Sequence, residues 1–156
     1  MVILPYIPDG IEDILDYYGD PRTDDDWFDR NMVICELPFS LRQSWNQKDI
    51  SKFHAHKLVA AAMVDALMEI EEYAGIVFLR RYELDQWGGV YNDRNKRGSD
   101  QLSIHALGAA MDYCPKLGPF GEPSRMPYFI VRAFIRRGFI NLWHYDGQHH
   151  QGAKSY

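Results

Sequence analysis

The chain lacks the features that mark several common classes of protein. It has two cysteines, Cys35 and Cys114, which form no CxxC pair, so neither a cysteine zinc ribbon nor a redox dithiol is available; both are read as buried free thiols. Basic residues are in the minority, with 17 Lys and Arg against 22 Asp and Glu, a net charge of −5, and Asp24, Asp25 and Asp26 in a row. Such a chain has no overall positive field to draw it onto nucleic acid or an anionic membrane. No apolar run approaches the roughly eighteen residues needed to cross a bilayer, so no membrane span is expected. The opening MVILPYIPDG has no basic n-region and meets Pro5 and Pro8 early, which excludes a signal h-region. Synthesis in the cytoplasm without a cleavable leader is therefore expected. Internal repeats, low-complexity tracts and linker-like shifts in composition are missing as well.

What is present suits one globular domain over residues 1–156, with 46% hydrophobic and 14% aromatic content to build its core. Asp9 ahead of GIEDILDYYG predicts a short capped helix ending at Gly19, with Asp20 and Pro21 as the breaker. A polar, Asp-rich connection follows. Between Asp49 and Ala74, Ala60, Met63, Val64, Leu67, Ile70 and Ala74 recur at helical spacing and Gly75 ends the run, predicting a long amphipathic helix. Ile76–Leu79 reads as a short strand, residues 88–101 as a polar loop, and Met111–Cys114 as a second strand. Pro115, Pro119, Pro123 and Pro127, with Gly118 and Gly121, disfavour regular structure and suggest a rim or lid. Tyr128–Arg137 is again apolar at helical spacing and stops at Gly138.

The residues able to do chemistry gather in two places. SIHALGAAMD, residues 103–112, holds His105 and Asp112; HYDGQHHQ, residues 144–151, holds His144, Asp146, His149 and His150. Neutral imidazole and carboxylate are both competent ligands for zinc (Zn2+), and a catalytic zinc takes three protein ligands while leaving a position for water. His105, Asp112 and one histidine of the tail make such a set. The spacing is not HExxH, in which two histidines share one helical face. Six residues separate His105 from Asp112, with Gly108 among them, so one ligand is expected at the end of a helix or loop and the other on a strand. Read from the residues alone, the choice of tail histidine stays open. His54, His56 and His144 read as ordinary core or surface histidines, and histidine-rich tails also bind metal adventitiously.

The string GGVYNDRNKRGSDQLSIHALGAAMDY, residues 88–113, resembles the M15 zinc peptidases, the group of D-Ala-D-Ala carboxypeptidases and phage L-alanyl-D-glutamate endolysins. The family motif SxHxxGxAxD is met by Ser103, His105, Gly108, Ala110 and Asp112, and the closing motif DxxHFQ by Asp146, His149 and Gln151. LPFSLRQSWNQ and the helix after it are similar to the endolysin branch, so the resemblance runs from about residue 36 to 153. It departs at His150, where the family has phenylalanine, and at Gln148, where it often has methionine. An alternative alignment of Trp143 and His144 with the carboxypeptidase WH motif would put Asn141 where a catalytic glutamate belongs, and an amide is a poor base.

The resemblance implies an α+β fold of the Hedgehog/DD-peptidase-like kind, a small, mainly antiparallel sheet carrying a zinc site with helices packed against it. It implies His105, Asp112 and His149 as ligands, Asp146 as general base, Arg94 as the group that holds the substrate carbonyl, and Ser103 and Arg97 as substrate-binding residues. His150 is expected to bring a second imidazole close to the metal, as an outer hydrogen-bonding group or a competing ligand. The expected function is cleavage of the L-Ala-D-Glu bond of peptidoglycan stem peptides by a monomer acting at the cell wall, through phage-type release or as a virion component. The alternatives are a D-Ala-D-Ala carboxypeptidase and, from another class, a non-catalytic zinc module of a phage particle that is structural or binds wall peptides.

Overall fold

The computed structural model describes residues 1–155. In chain order it contains α1 (Ile11–Tyr18), α2 (Trp27–Asn31), β1 (Met32–Gln43), β2 (Asp49–His56), α3 (Lys57–Ala74), α4 (Ile76–Arg81), β3 (Gln86–Gly89), a 3-10 turn (Ile104–Leu107), β4 (Ala110–Tyr113), a second 3-10 turn (Pro115–Leu117), α5 (Tyr128–Ile135), β5 (Ile140–Leu142) and β6 (Asp146–Gln151). The architecture is α+β with a mixed six-stranded sheet in the order β2-β1-β3-β4-β6-β5. Every neighbouring pair is antiparallel except β1 and β3.

The core lies where α3 and α5 meet each other and the sheet. Met63, Ala66, Leu67 and Ile70 of α3 are buried with Ile130, Val131 and Phe134 of α5, and with Met111 and Tyr113 of β4. Each large apolar side chain so buried contributes about 1.5–3 kcal/mol relative to exposure. The two helices are also tied by charge: the buried Arg137, just past α5, meets Asp65 and Glu69 of α3 at 2.7 Å each. Among the described residues, no helix is long and apolar enough to cross a membrane.

Several elements differ from the sequence expectation. The helix read over 49–74 begins only at Lys57, and Asp49–His56 is a strand paired with β1. Phe53 and Ala55 are buried at strand spacing there. The helix instead starts on the ring of His56, whose Nδ1 accepts the Leu58 N–H at 3.2 Å. Ile76–Leu79 is helix, because Gly75 at φ +74° ends α3 and starts α4 directly, and of these four residues only Leu79 is buried. The Asp-rich connection gives way to α2 and the long strand β1. Helix α1 has Gly10 rather than Asp9 at its N-cap, with no side-chain cap bond. The strand at 111–113, the helix from Tyr128 and the irregular proline segment agree with the sequence reading.

Candidate metal centre

Three elements bring three side chains to one point. Ser103 caps the 3-10 turn, its Oγ accepting the His105 N–H at 3.2 Å, and so fixes the backbone that carries His105. Gly108 closes the turn at φ +61°, in the left-handed region, and a Cβ there would meet the His56 nitrogen at 2.9 Å. Only glycine serves at that position. The chain then enters β4, where Asp112 stands directly opposite His149 of β6. Side chains alternate along a strand, so Asp112 and His149 share one face while Met111 and His150 point to the other.

The ligand atoms of His105, Asp112 and His149 all lie within 4.8 Å of one another. His105 Nε2 is 3.1 Å from His149 Nδ1 and 3.3 Å from Asp112 Oδ1, and His149 Nδ1 is 3.0 Å from the same oxygen. The outward nitrogens determine the tautomers. His105 Nδ1 donates to the Val90 carbonyl at 2.7 Å, and His149 Nε2 donates to Gln151 Oε1 at 3.0 Å. The Gln151 amide cannot turn over, because its NH2 is spent on the Ala153 carbonyl at 2.9 Å. In the neutral rings the inward nitrogens therefore carry lone pairs, and two lone pairs and a carboxylate oxygen converge with no donor among them.

Such a convergence is repulsive unless a cation sits in it, and the donor set therefore fits a metal ion. A tetrahedral site with bonds of about 2.0–2.1 Å separates its ligand atoms by roughly 3.3 Å, close to the spacings found. The carbonyl and amide behind the two rings are the outer partners that orient metal-binding imidazoles. Burial alone raises the Asp112 carboxyl, but positive charge at this point, an inward proton on His105 or His149 bonding its oxygen, overrides burial and holds it well below the ordinary carboxylate range; a cation between the rings would act on it in the same sense. Asp112 is therefore an anion in the cluster.

The cluster forms the floor of an open cleft of about 550 Å³ whose walls include Arg94, Arg97, Phe120, Tyr145 and Asp146. Asp146, at the start of β6, is half-buried, which raises its carboxyl above the ordinary value against the opposing hydrogen bond from Gln148 Nε2 at 3.0 Å. Arg94 is exposed, its Nη1 donating to the Asn95 carbonyl at 3.3 Å. Arg97 lies over the Phe120 ring at 4.6 Å, and Phe120 packs edge-on against Tyr145. Ser103 lines the cleft as well.

The other histidines are elsewhere. His150 does not approach the cluster: it is fully buried on the opposite face of the sheet, stacked on Phe134 at 4.0 Å, with Nδ1 facing the Asn141 amide. Burial holds it neutral, down to about 3. The expectation of a second imidazole beside the metal is thereby corrected, and strand alternation is the reason. His144 is exposed in the β5–β6 turn, and Asn141 bridges the hairpin by donating to the Gly147 and His149 carbonyls. His54 lies against Phe28.

Three contributors were not singled out from sequence. Val90 acts through its carbonyl, which leaves no side-chain signal, and Gln151 was matched in the tail motif without a role. Gly88 lies where a Cβ would meet the Asp112 Cβ at 2.7 Å and its carbonyl oxygen at 2.8 Å; the glycine pair at 88–89 was the available clue.

Compared with protein-family models, with curated proteins and with solved structures, the chain shows no significant match. The case for function thus stands on the residues and their arrangement.

Proposed function

We propose that the protein is a zinc-dependent peptidase that cleaves the L-Ala-D-Glu bond of peptidoglycan stem peptides, with His105, Asp112 and His149 as the metal ligands. The observation that carries this reading is the convergence of two imidazole lone pairs and an ionised carboxylate at the floor of an open cleft, beside a half-buried second carboxylate. Structural zinc sites are closed by four protein ligands, whereas three ligands facing a cleft is the catalytic pattern.

A zinc ion held there would polarise the scissile carbonyl and lower the pKa of water bound beside it. The protein's own groups do the rest. Asp146 takes the proton of the attacking water and passes it to the departing D-Glu nitrogen as the C–N bond breaks, a task suited to a carboxylate raised by burial. Arg94 offers planar donors to the carbonyl oxygen as negative charge develops on it. Arg97, held over Phe120, and Lys154 place positive charge in the walls of the cleft, where the free α-carboxylate of D-Glu would lie. Ser103 acts through its cap on the His105 turn and presents its hydroxyl to the substrate.

The cleft supports an endopeptidase because a second groove of about 230 Å³ adjoins it at the cluster, sharing Arg94, His105 and Asp112 with it but not Arg97. Chain can thus extend to both sides of the scissile bond. The test is mass spectrometry of purified peptidoglycan after digestion by the zinc-loaded protein. New N-terminal D-Glu is expected; free D-Ala alone would make the protein a carboxypeptidase, and no product from any wall type would make it a binding module.

A further inference from the structure

The second groove is built differently from the first. Its members are Trp45, Gly88, Gly89, Val90, Tyr91 and Asn92, together with the shared Arg94, His105 and Asp112. Beyond the shared residues it contains no charged side chain, whereas the first groove has Arg97 and Lys154 in its walls. Gly88 and Gly89 line it with backbone alone; a Cβ on Gly89 would meet nothing within 4 Å, whereas one on Gly88 would strike Asp112. Trp45, 61% exposed, is its one large aromatic ring besides Tyr91.

The turn that carries Trp45 is fixed despite that exposure. It lies between β1 and β2, where Ser44 N–H donates to the Trp87 carbonyl at 2.9 Å and Gln43 N–H to the Lys48 carbonyl at 2.9 Å. The Gln47 side chain closes the turn from below, donating to Gln86 Oε1 at 2.9 Å. A large, flat, amphipathic ring on a fixed turn offers contact area at little entropic cost to whatever it receives.

We propose that Trp45 is the platform for the muramic acid ring of the glycan, stacking on the sugar that carries the stem peptide. The inference rests on the peptidase reading and adds to it a sugar subsite and a direction for the substrate. Two observations select the sugar. The first groove, with Arg97 and Lys154 in its walls, suits the acidic side of the scissile bond, which leaves the second groove, with no charged side chain beyond the shared residues, for the acyl side. On that side a single L-Ala, spanning about 3.5 Å, and a lactyl ether separate the scissile carbonyl from the ring, so the ring must fall in the groove adjoining the cluster. A pyranose presents a flat face of C–H groups with hydroxyls at its edge, which matches a groove lined by an exposed indole and by glycine backbone.

Two measurements test this, one without turnover. N-acetylmuramoyl-L-alanine, the acyl-side product, is titrated into the zinc-loaded protein while the indole N–H resonances are followed, that of Trp45 being assigned by its loss in Trp45→Phe. A saturable shift of the Trp45 signal is expected, and no shift, or the same shift with N-acetyl-L-alanine, overturns the proposal whether or not the protein is a peptidase. Next, kcat/KM is compared for a muramoyl stem peptide and for the same peptide acetylated in place of the sugar. Wild type should favour the sugar-bearing substrate, and Trp45→Ala should lower that preference about tenfold, mainly through KM. An unchanged preference in Trp45→Ala sinks the sugar platform while leaving the peptidase standing; hydrolysis of neither substrate by wild type sinks the peptidase reading, and the titration then decides the platform alone.

Discussion

His105 Nε2 and His149 Nδ1 face each other at 3.1 Å, and the outer nitrogen of each ring spends its proton on a fixed acceptor, the Val90 carbonyl or Gln151 Oε1. The arrangement calls for a cation between the rings. The protein should bind close to one zinc per chain, and His105→Ala, Asp112→Ala and His149→Ala should each lose most of it. His144→Ala and His150→Phe, whose rings lie in an exposed turn and on the far face of the sheet, should retain it. Metal analysis after exhaustive dialysis checks this; full retention by His149→Ala would falsify the assignment.

The Gln151 amide sets the His149 tautomer, and its effect is separable from ligation. Gln151→Leu keeps the side-chain size but removes the acceptor for His149 Nε2–H, freeing the ring to place its proton on the inward nitrogen. Loss of such an outer partner typically lowers metal affinity about 10–100-fold. Competition with a chelator of known affinity measures it, and an unchanged dissociation constant would mean that the tautomer is fixed by something else.

Gly88 gives a packing test of the same cluster. Because a Cβ there overlaps both the Asp112 side chain and its carbonyl, Gly88→Ala must push β3 and β4 apart at the ligand. Metal affinity should fall with the fold largely retained, read by metal titration alongside far-UV circular dichroism. Gly89→Ala, at φ +123° with open space around it, should strain the backbone without pressing on Asp112, and so cost stability more than affinity.

How far the sequence disclosed this arrangement depended on whether a residue acts through its own chemistry or through its neighbours. His105, Asp112 and His149 were legible because ligands must be particular residue types, and Gly108 because a turn was needed between two of them. Helices α3 and α5 were legible from their apolar spacing. Strand β1 was not: Pro38 argues against a strand, and the buried positions lose strict alternation where the ladder slips between Glu36 and Leu41, a place where an irregular strand tolerates proline. His56 was hidden for another reason. Histidine is an uncommon N-cap, so nothing marked Lys57 as the start of α3.

His56 also makes stability depend on pH. Its Nε2–H donates to the Tyr18 carbonyl at 3.1 Å while Nδ1 accepts from Leu58 N–H, so the buried neutral ring has both nitrogens satisfied and a second proton would break the cap. Burial is the main cause that lowers its pKa to about 4 from 6.5. The folded value is the depressed one, so the stabilisation is full above the unfolded pKa and is lost as pH falls towards 4. Between pH 7 and pH 5 the loss is about 2 kcal/mol, measurable by urea unfolding. His56→Gln should be less stable at pH 7 yet lose less on acidification. His150, neutral by burial in the same way, contributes to both slopes, so their difference isolates His56. Equal slopes would remove His56 from the account.

The last prediction separates metal binding from catalysis at Asp146. This carboxylate lines the cleft next to the cluster but is not among the three residues whose ligand atoms converge, and its hydrogen bond from Gln148 leaves an oxygen for the reaction. Asp146→Asn keeps the shape and the three ligands while removing the ability to take a proton from water. Zinc content and unfolding midpoint should therefore stay near those of the parent, while turnover of stem peptides falls by roughly a hundredfold to ten-thousandfold, the range for loss of a general base. Asp112→Asn should behave differently, losing metal and activity together, because an amide there brings no negative charge to the cation. A variant Asp146→Asn with full zinc and activity within a few-fold of the parent would reduce Asp146 to a strand-end residue bonded to Gln148. The proton acceptor would then have to be another group that lines the cleft.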